Sequence, residues 1–353
     1  MSKAELNSNP LIKKLLDASV TKRASLITES KYLNNIDFTT TSVPAINVAL
    51  SGELDGGLTA GLLQIAGPSA HFKTLMLLIC AKAYMDKYPD AILYFYDTEF
   101  GSPLSYFDSI GIDRDRTIHA PVTDVEELKQ DISKLLESID RNDKVFIALD
   151  SIGNLASRKE VEDALDGKTV ADMTRAKQLK SLFRIITPHL KMKDIPMGVV
   201  NHTYKEIGLF PKDIVGGGTG SYYSSNDIWI IGKQQEKTGK DITGYHFIIN
   251  IEKSRFVKAK SKIPVTVTFD GGIYKYSGLL EMALESGQII KPSNGWYQLK
   301  DDDKKYREKD THDILKQLLN NEEFKIFVKN KYKLSAKNKL MNDGEIMDGM
   351  EED

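Results

Sequence analysis

The sequence predicts an α/β fold with a mostly parallel sheet flanked by helices, and three observations carry the prediction. Short apolar runs alternate with longer stretches of helical periodicity from about residue 40 to 275. The runs "VFIAL" and "ILYFY" are apolar at every position, as strands buried on both faces require. Segments such as "VEELKQDISKLLESI" lie between them and have the length of crossover helices joining parallel neighbours.

In chain order, residues 1–35 read as an appended helical segment, because "NPLIKKLLDASV" sets apolar positions at helical spacing behind an N-cap Asn9 and Pro10. Residues 36–277 form the core. Its pieces are "GLLQIAG" (strand), "TLMLLICAKAYMDKY" (helix), "AILYFYDTE" (strand), "VEELKQDISKLLESI" (helix), "KVFIALDSIG" (strand), "MTRAKQLKSLFRIITPHL" (helix) and "PMGVVNHT" (strand). The closely spaced "DIWIIGK", "YHFIINIEKS" and "PVTVTFDGG" read as an antiparallel extension of the same sheet. From 278 a helix, a "GWYQL" turn and strand and two charged helical segments make a small α+β domain to 340, and 341–353 is an acidic tail.

A chain of 353 residues, 41% hydrophobic, supports one large core with small appendages. The single cysteine, Cys80, cannot close an intrachain disulfide, and no apolar run approaches a membrane span or a signal peptide core, so a cytoplasmic setting is expected. The net charge of −2 argues against a uniformly basic nucleic-acid surface. Charge is nonetheless segregated. Residues 325–339 hold six lysines and no acid, whereas Asp343, Glu345, Asp348, Glu351, Glu352 and Asp353 close the chain with no base among them. Such a tail solubilises, or competes with a polyanion for basic surface.

The octapeptide "GPSAHFKT" (Gly67, Pro68, Ser69, Ala70, His71, Phe72, Lys73, Thr74) fits the phosphate-loop pattern except that Phe72 replaces its second glycine. Context supports the loop, since it follows a buried strand and opens a helix whose free amides and dipole favour phosphate. In that geometry Lys73 reaches the β- and γ-phosphate oxygens of a nucleotide, and the Thr74 hydroxyl ligates Mg²⁺. Asp150 ends the strand "KVFIALDS", where a carboxylate holds Mg²⁺ opposite the loop. Asp97 and Glu99 end another strand and, two residues apart, are expected to project to one side, with Glu99 the candidate base for water. The Phe72 backbone either does not need a positive φ or is held there under strain.

Together with "YDTEFG", "ALDSIGNLASRKE", "VVNHTY", "VGGGTGSYYSSNDIWIIGK", "NIEKSRFVKAKS" and "FDGGIYKYSGLLEMALESG", the loop resembles the RecA-family recombinases, and within them the UvsX-type branch of T-even-like bacteriophages. The similarity runs from about 35 to about 300, and that branch also lacks the second glycine. The resemblance implies a RecA-like P-loop ATPase core. It implies Glu99 as the residue activating water, Tyr106 stacked on adenine, and His202 as the γ-phosphate sensor in place of the family's glutamine. It further implies that Lys253 and Arg255 reach a neighbour's ATP. Two loops are implied to touch DNA: about 157–170, leading into "ADMTRAKQLK", with Lys168 and Arg175, and about 203–226, with Lys205, Lys212, Gly216, Gly217 and Gly218. RecA has a lysine where Tyr222 stands, so its phosphate contacts do not transfer directly. The implied function is a DNA-dependent ATPase that forms filaments on single-stranded DNA through the 1–35 segment and pairs it with homologous duplex. A single-stranded DNA-binding protein and a loading mediator are its implied partners. A RecA-core hexameric helicase would share every ATP-site residue, and a regulatory ATPase that does not bind DNA or a non-catalytic coating protein would share most.

Overall fold

The four mostly apolar runs expected to be parallel strands each form a strand of six residues in one nine-stranded sheet of the computed structural model. The structure describes residues 9–33, 36–168, 173–206, 213–238, 241–268 and 272–334. The chain divides into two compact units, Met1–Asp37 and Phe38–Asp353. In the first, α1 (Pro10–Ala18) starts where Asn9 caps it, its side chain accepting the Leu11 amide at 2.9 Å with Pro10 at the first helical position. A 3₁₀ turn at Ile27–Glu29 follows.

The second unit runs α2 (Pro44–Ser51), β1 (Gly61–Ala66), α3 (Lys73–Lys87), β2 (Ile92–Asp97), α4 (Leu104–Ile110), β3 (Thr117–Pro121), α5 (Val125–Ser138), β4 (Val145–Asp150), α6 (Arg158–Leu165), α7 (Thr174–Lys193) and β5 (Pro196–Asn201). Then come the hairpin β6 (Thr203–Lys205) and β7 (Asp213–Val215), α8 (Gly218–Ser224), β8 (Asp227–Thr238), β9 (Asp241–Lys253), β10 (Lys262–Thr268) and β11 (Gly272–Ile273). The chain continues through α9 (Leu279–Glu285), β12 (Ile289–Ser293), β13 (Trp296–Leu299), β14 (Lys305–Tyr306), α10 (His312–Leu318) and α11 (Glu322–Tyr332).

The sheet order is β11-β10-β9-β8-β1-β5-β4-β2-β3. Strands β3, β2, β4, β5, β1 and β8 are parallel, so the expected antiparallel extension begins one strand later than the sequence suggested: β8 pairs parallel with β1, and the β8–β9, β9–β10 and β10–β11 pairs are antiparallel. Alternate residues of one strand feed two cores. Phe146 and Ala148 of β4 pack with Met76 and Leu78 of α3, and Ile147 and Leu149 pack with Ile132 of α5 and Phe183 of α7. This two-sided burial is why these strands lack polar alternation.

Beyond β11, Leu279 and Met282 of α9 and Phe324 of α11 are buried in the same core as β10. Three lysines of the basic stretch are committed to ion pairs near Glu53: Lys329 at 2.7 Å and Lys333 at 2.6 Å from Glu53, with Lys325 3.6 Å from Asp55. The acidic tail 341–353 lies outside the described residues.

Candidate functional site

The carboxyl edge of the parallel strands gathers the loop 67–74, the ends of β2 and β4, and the junction of β5 with β6. Phe72 sits at φ 51°, ψ 30°, immediately before α3, so the left-handed conformation is present and a bulky residue adopts it. Its ring lies 5.5 Å from that of Phe247 on β9, and the His71 ring lies 6.0 Å from the same residue. Aromatic packing thus holds the loop where glycine would relax it. No side chain caps α3, which leaves its first amides to a ligand.

Lys73 is 6% exposed and donates from Nζ to the Pro68 carbonyl at 2.8 Å. Burial lowers its pKa, while the Glu99 and Asp150 charges oppose that effect. Thr74 Oγ1 donates to Asp150 Oδ2 at 2.6 Å. Asp150 is 4% exposed, and its other oxygen, Oδ1, is buried without a hydrogen-bond partner. Burial raises its carboxyl to about 6, and the nearby Glu99 and Asp97 charges add to this against the Thr74 hydrogen bond. A buried, half-satisfied carboxylate beside a hydroxyl fits a Mg²⁺ ion that also takes phosphate oxygens.

Glu99 is not in β2, which ends at Asp97, so the two carboxylates do not share a face as the period-two reading expected. Asp97 turns back to accept the amides of Glu99 at 3.1 Å and Phe100 at 2.8 Å, and its Oδ2 lies 3.1 Å from His119 Nε2. That turn swings Glu99 toward β4. There Thr98 Oγ1 donates to the Ser151 carbonyl at 2.7 Å, and Ser151 Oγ donates to Glu99 Oε1 at 2.6 Å. His202 Nε2 lies 2.9 Å from the same Oε1. Burial alone would raise Glu99, but the bonds to Ser151 and His202 and the Lys73 charge outweigh it and hold the carboxyl below its ordinary value. Glu99 is therefore ionised at neutral pH, as a proton acceptor must be.

Position 153 fixes the imidazole. A Cβ on Gly153 would lie 2.3 Å from His202 Cδ2, so a larger residue would push the ring away from Glu99. Asn201 holds the other side, accepting the His202 amide at 2.8 Å and donating to the Gly216 carbonyl at 2.7 Å, while the Gly216 amide donates to the His202 carbonyl at 2.9 Å. The ring beside Glu99 and the glycine run are thus tied through two residues. Tyr106, on α4, packs on the core that includes α3, and burial with the Asp150 charge raises its hydroxyl to about 12.

The cations assigned to DNA divide. Lys168 pairs with Asp166 at 2.7 Å and Lys205 with Asp213 at 2.8 Å, both lysines being more than half exposed. Arg175 is bonded differently from the two lysines. Its guanidinium donates to the carbonyls of Leu155 at 2.5 Å, Ile152 at 2.8 Å and Gly153 at 3.2 Å, which pins the start of the first loop rather than facing solvent. That loop contains α6, opened by a capping box between Ser157 and Glu160. Gly217, at φ 86°, is the N-cap of α8, and Gly218 begins that helix. Lys212 lies outside the described residues. Lys253 donates to the Tyr222 and Tyr223 carbonyls at 2.7 and 3.1 Å, and Arg255 is exposed. Sequence reasoning missed Ser151 and Gly153, though both follow Asp150 within the quoted run "ALDSIGN".

A model of the RecA N-terminal domain matches residues 12–274, and one of the C-terminal domain of the bacteriophage T4 recombination and repair protein matches 276–328. The chain is 47% identical over 335 residues to the recombination and repair protein of Enterobacteria phage T4, covering 92% of this chain and 86% of that one. It is 25% identical over 249 residues to protein RecA of Syntrophus aciditrophicus, covering 69% of each. A crystal structure of the RadB recombinase aligns at 20% identity with a TM-score of 0.46, over 62% of this chain and 93% of that one. Among the described residues no helix is long and apolar enough to cross a membrane. With the RecA domain matched over most of its length and nearly half its residues shared with the phage protein, this chain belongs to the RecA family of recombinases.

Proposed function

We propose that the chain is an ATP-dependent strand-exchange protein that polymerises on single-stranded DNA, pairs it with homologous duplex and hydrolyses ATP to turn the filament over. The observation that carries the reading is the junction at His202. Its ring meets Glu99 in the ATP crevice, and its backbone clips Gly216 at the return of the second loop. One residue therefore touches both the hydrolytic base and the DNA-facing segment, which makes nucleotide and DNA affinity reciprocally coupled.

In this reading Lys73 exchanges the Pro68 carbonyl for phosphate oxygens, and the backbone amides of 69–73 cradle the phosphates with Tyr106 against adenine. Thr74 and Asp150 would hold Mg²⁺, which offsets phosphate charge. Glu99 accepts the proton of the attacking water, with Ser151 and His202 fixing its carboxylate. Lys253 and Arg255 reach the neighbouring protomer's ATP, a trans cation contribution of the kind that raises phosphoryl transfer about a thousandfold or more. The segment 1–35 links protomers. Lys168, Lys205 and Lys212 supply sequence-tolerant attraction to phosphates, and Gly216, Gly217 and Gly218 allow close backbone approach. A single-stranded DNA-binding protein and a loading mediator complete the system in the host cytoplasm.

ATP hydrolysis with and without single-stranded DNA tests the reading, with Lys73→Ala as control. DNA stimulation that disappears in the variant is expected. Hydrolysis indifferent to DNA would sink it, and closed six-fold rings instead of open filaments in electron micrographs would replace it with a helicase.

A further inference from the structure

The turn that carries the trans cations is shaped from beneath. β9 ends at Lys253, and the next residue, Ser254, folds the chain by accepting the amides of Phe256 at 3.1 Å and Val257 at 3.0 Å on its hydroxyl oxygen. The same hydroxyl donates to Asp227 Oδ1 at 2.5 Å. Asp227, 6% exposed, opens β8 between Asn226, whose amide donates to the Leu62 carbonyl, and the β1 pairing, so its backbone is fixed by the centre of the sheet. Its carboxylate also receives the Arg255 backbone N–H and lies within the fields of the Lys191 and Arg255 side chains. Lys191 is itself anchored, donating to the Ala60 carbonyl just before β1.

We propose that Asp227 and Ser254 are positioning residues for the trans cations: the buried carboxylate is the fixed point, the serine hydroxyl transmits it to the turn, and Lys253 and Arg255 leave that turn at a set spacing. The two cations need such a support because they must meet another protomer's phosphates, and a displacement of about 1 Å at such a contact costs on the order of a hundredfold in rate. Asp227 is costly to keep where it is. Burial raises its carboxyl to about 6 against the opposing Ser254, Lys191 and Arg255 contacts, a burden that an apolar residue at the start of β8 would not carry. The inference rests on the reading that Lys253 and Arg255 act on the neighbour's ATP.

The test is DNA-stimulated hydrolysis by Ser254→Ala, Ser254→Thr and Asp227→Asn, alone and in mixed filaments. Ser254→Ala is expected to lower kcat by roughly ten- to a hundredfold with the KM for ATP changed by less than about threefold. Ser254→Thr, which keeps the hydroxyl, should recover most of the loss, and Asp227→Asn, which keeps an acceptor, should fall between. The decisive readout is complementation. Mixed with Glu99→Gln, whose cations are intact, Ser254→Ala should regain hydrolysis at the mixed interfaces to the level that Arg255→Ala reaches in the same mixture. Mixed with Arg255→Ala it should regain none. If Glu99→Gln rescues Arg255→Ala but not Ser254→Ala, or if Ser254→Ala keeps wild-type kcat, the positioning role is wrong while the trans reading stands. If Glu99→Gln rescues neither despite co-assembly, the trans reading fails and this inference with it. Should Ser254→Ala not fold, Asp227→Asn is carried through the same mixtures and judged by the same outcomes.

Discussion

The phosphate-loop crevice and the two loops proposed to meet DNA handle charge in opposite ways. In the crevice, Lys73 and Asp150 are 6% and 4% exposed, and Asp150 keeps one oxygen without a hydrogen-bond partner. In the loops, Lys168 and Lys205 are 55% and 67% exposed and each is paired with an aspartate. Buried charge is expensive, so the crevice holds its groups in a fixed arrangement that a phosphate and a metal ion complete. Exposed pairs are worth at most about 1 kcal/mol, so DNA phosphates can replace those aspartates at little cost. The first region is held rigid around one site, and the second, in the proposed function, would accept any strand.

Removing the buried charge is the strongest way to break this contrast. The Asp150 carboxyl rises from an ordinary 3.8 to about 6, a cost of about 3 kcal/mol. Between those values the native state binds more protons than the unfolded chain. Stability therefore falls as pH rises through this window, and the full cost is present above it. Asp150→Asn should match the wild type below about pH 4 and exceed it by about 1 to 3 kcal/mol above pH 7, measured by urea unfolding without nucleotide or divalent ions. The same variant should lose hydrolysis. A variant less stable than the wild type at pH 8 would mean that the site carries no such burden.

Arg175 sharpens the comparison, because it is a loop cation that behaves like a crevice residue. Lys205→Ala and Lys168→Ala should each lower the slope of log affinity against log salt by about 0.7 for single strands, if each lysine meets one phosphate. Arg175→Ala should weaken binding with the slope unchanged, because the residue holds the carbonyls of Leu155, Ile152 and Gly153 and shapes the loop. Equal slope changes in all three variants would return Arg175 to the phosphate contacts. This distinction was not legible in the sequence, where all three are basic residues in or beside a polar loop.

What was legible follows the range of the interaction. The strands β1, β2, β4 and β5 announce themselves because burial on both faces makes them mostly apolar without polar alternation, and α1 because Asn9 and Pro10 act within three residues. α6 carries its own signal in Ser157 and Glu160, although it lies within the stretch expected to be a loop. β3 carries no such signal because it is an edge strand with none of its residues buried and a proline at its end. Glu99 reaches the crevice by a route that alternation does not describe: the alternation rule stops with the strand, and the Asp97 turn places it. Ser151 against Glu99 and Asp227 against Ser254 join residues 52 and 27 positions apart, and no local pattern encodes either.

The smallest effect concerns Phe72, which combines both regimes in one residue by paying backbone strain for aromatic packing. A bulky residue at φ 51° costs roughly 1 to 2 kcal/mol, and its ring pair with Phe247 returns roughly 0.5 to 1.5 kcal/mol beyond the area it buries. Phe72→Ala would keep the strain and lose the ring, whereas Phe72→Gly would lose both. Glycine should therefore be more stable than alanine here by about 1 kcal/mol, the reverse of their order in the helix that follows. Thermal unfolding of the two variants decides it. In a Phe247→Ala background the wild-type phenylalanine loses its partner while the strain persists, so the penalty of Phe72→Gly should shrink toward zero. An unchanged penalty there would show that Phe72 is held by contacts other than Phe247, and that the missing glycine is compensated elsewhere in the loop.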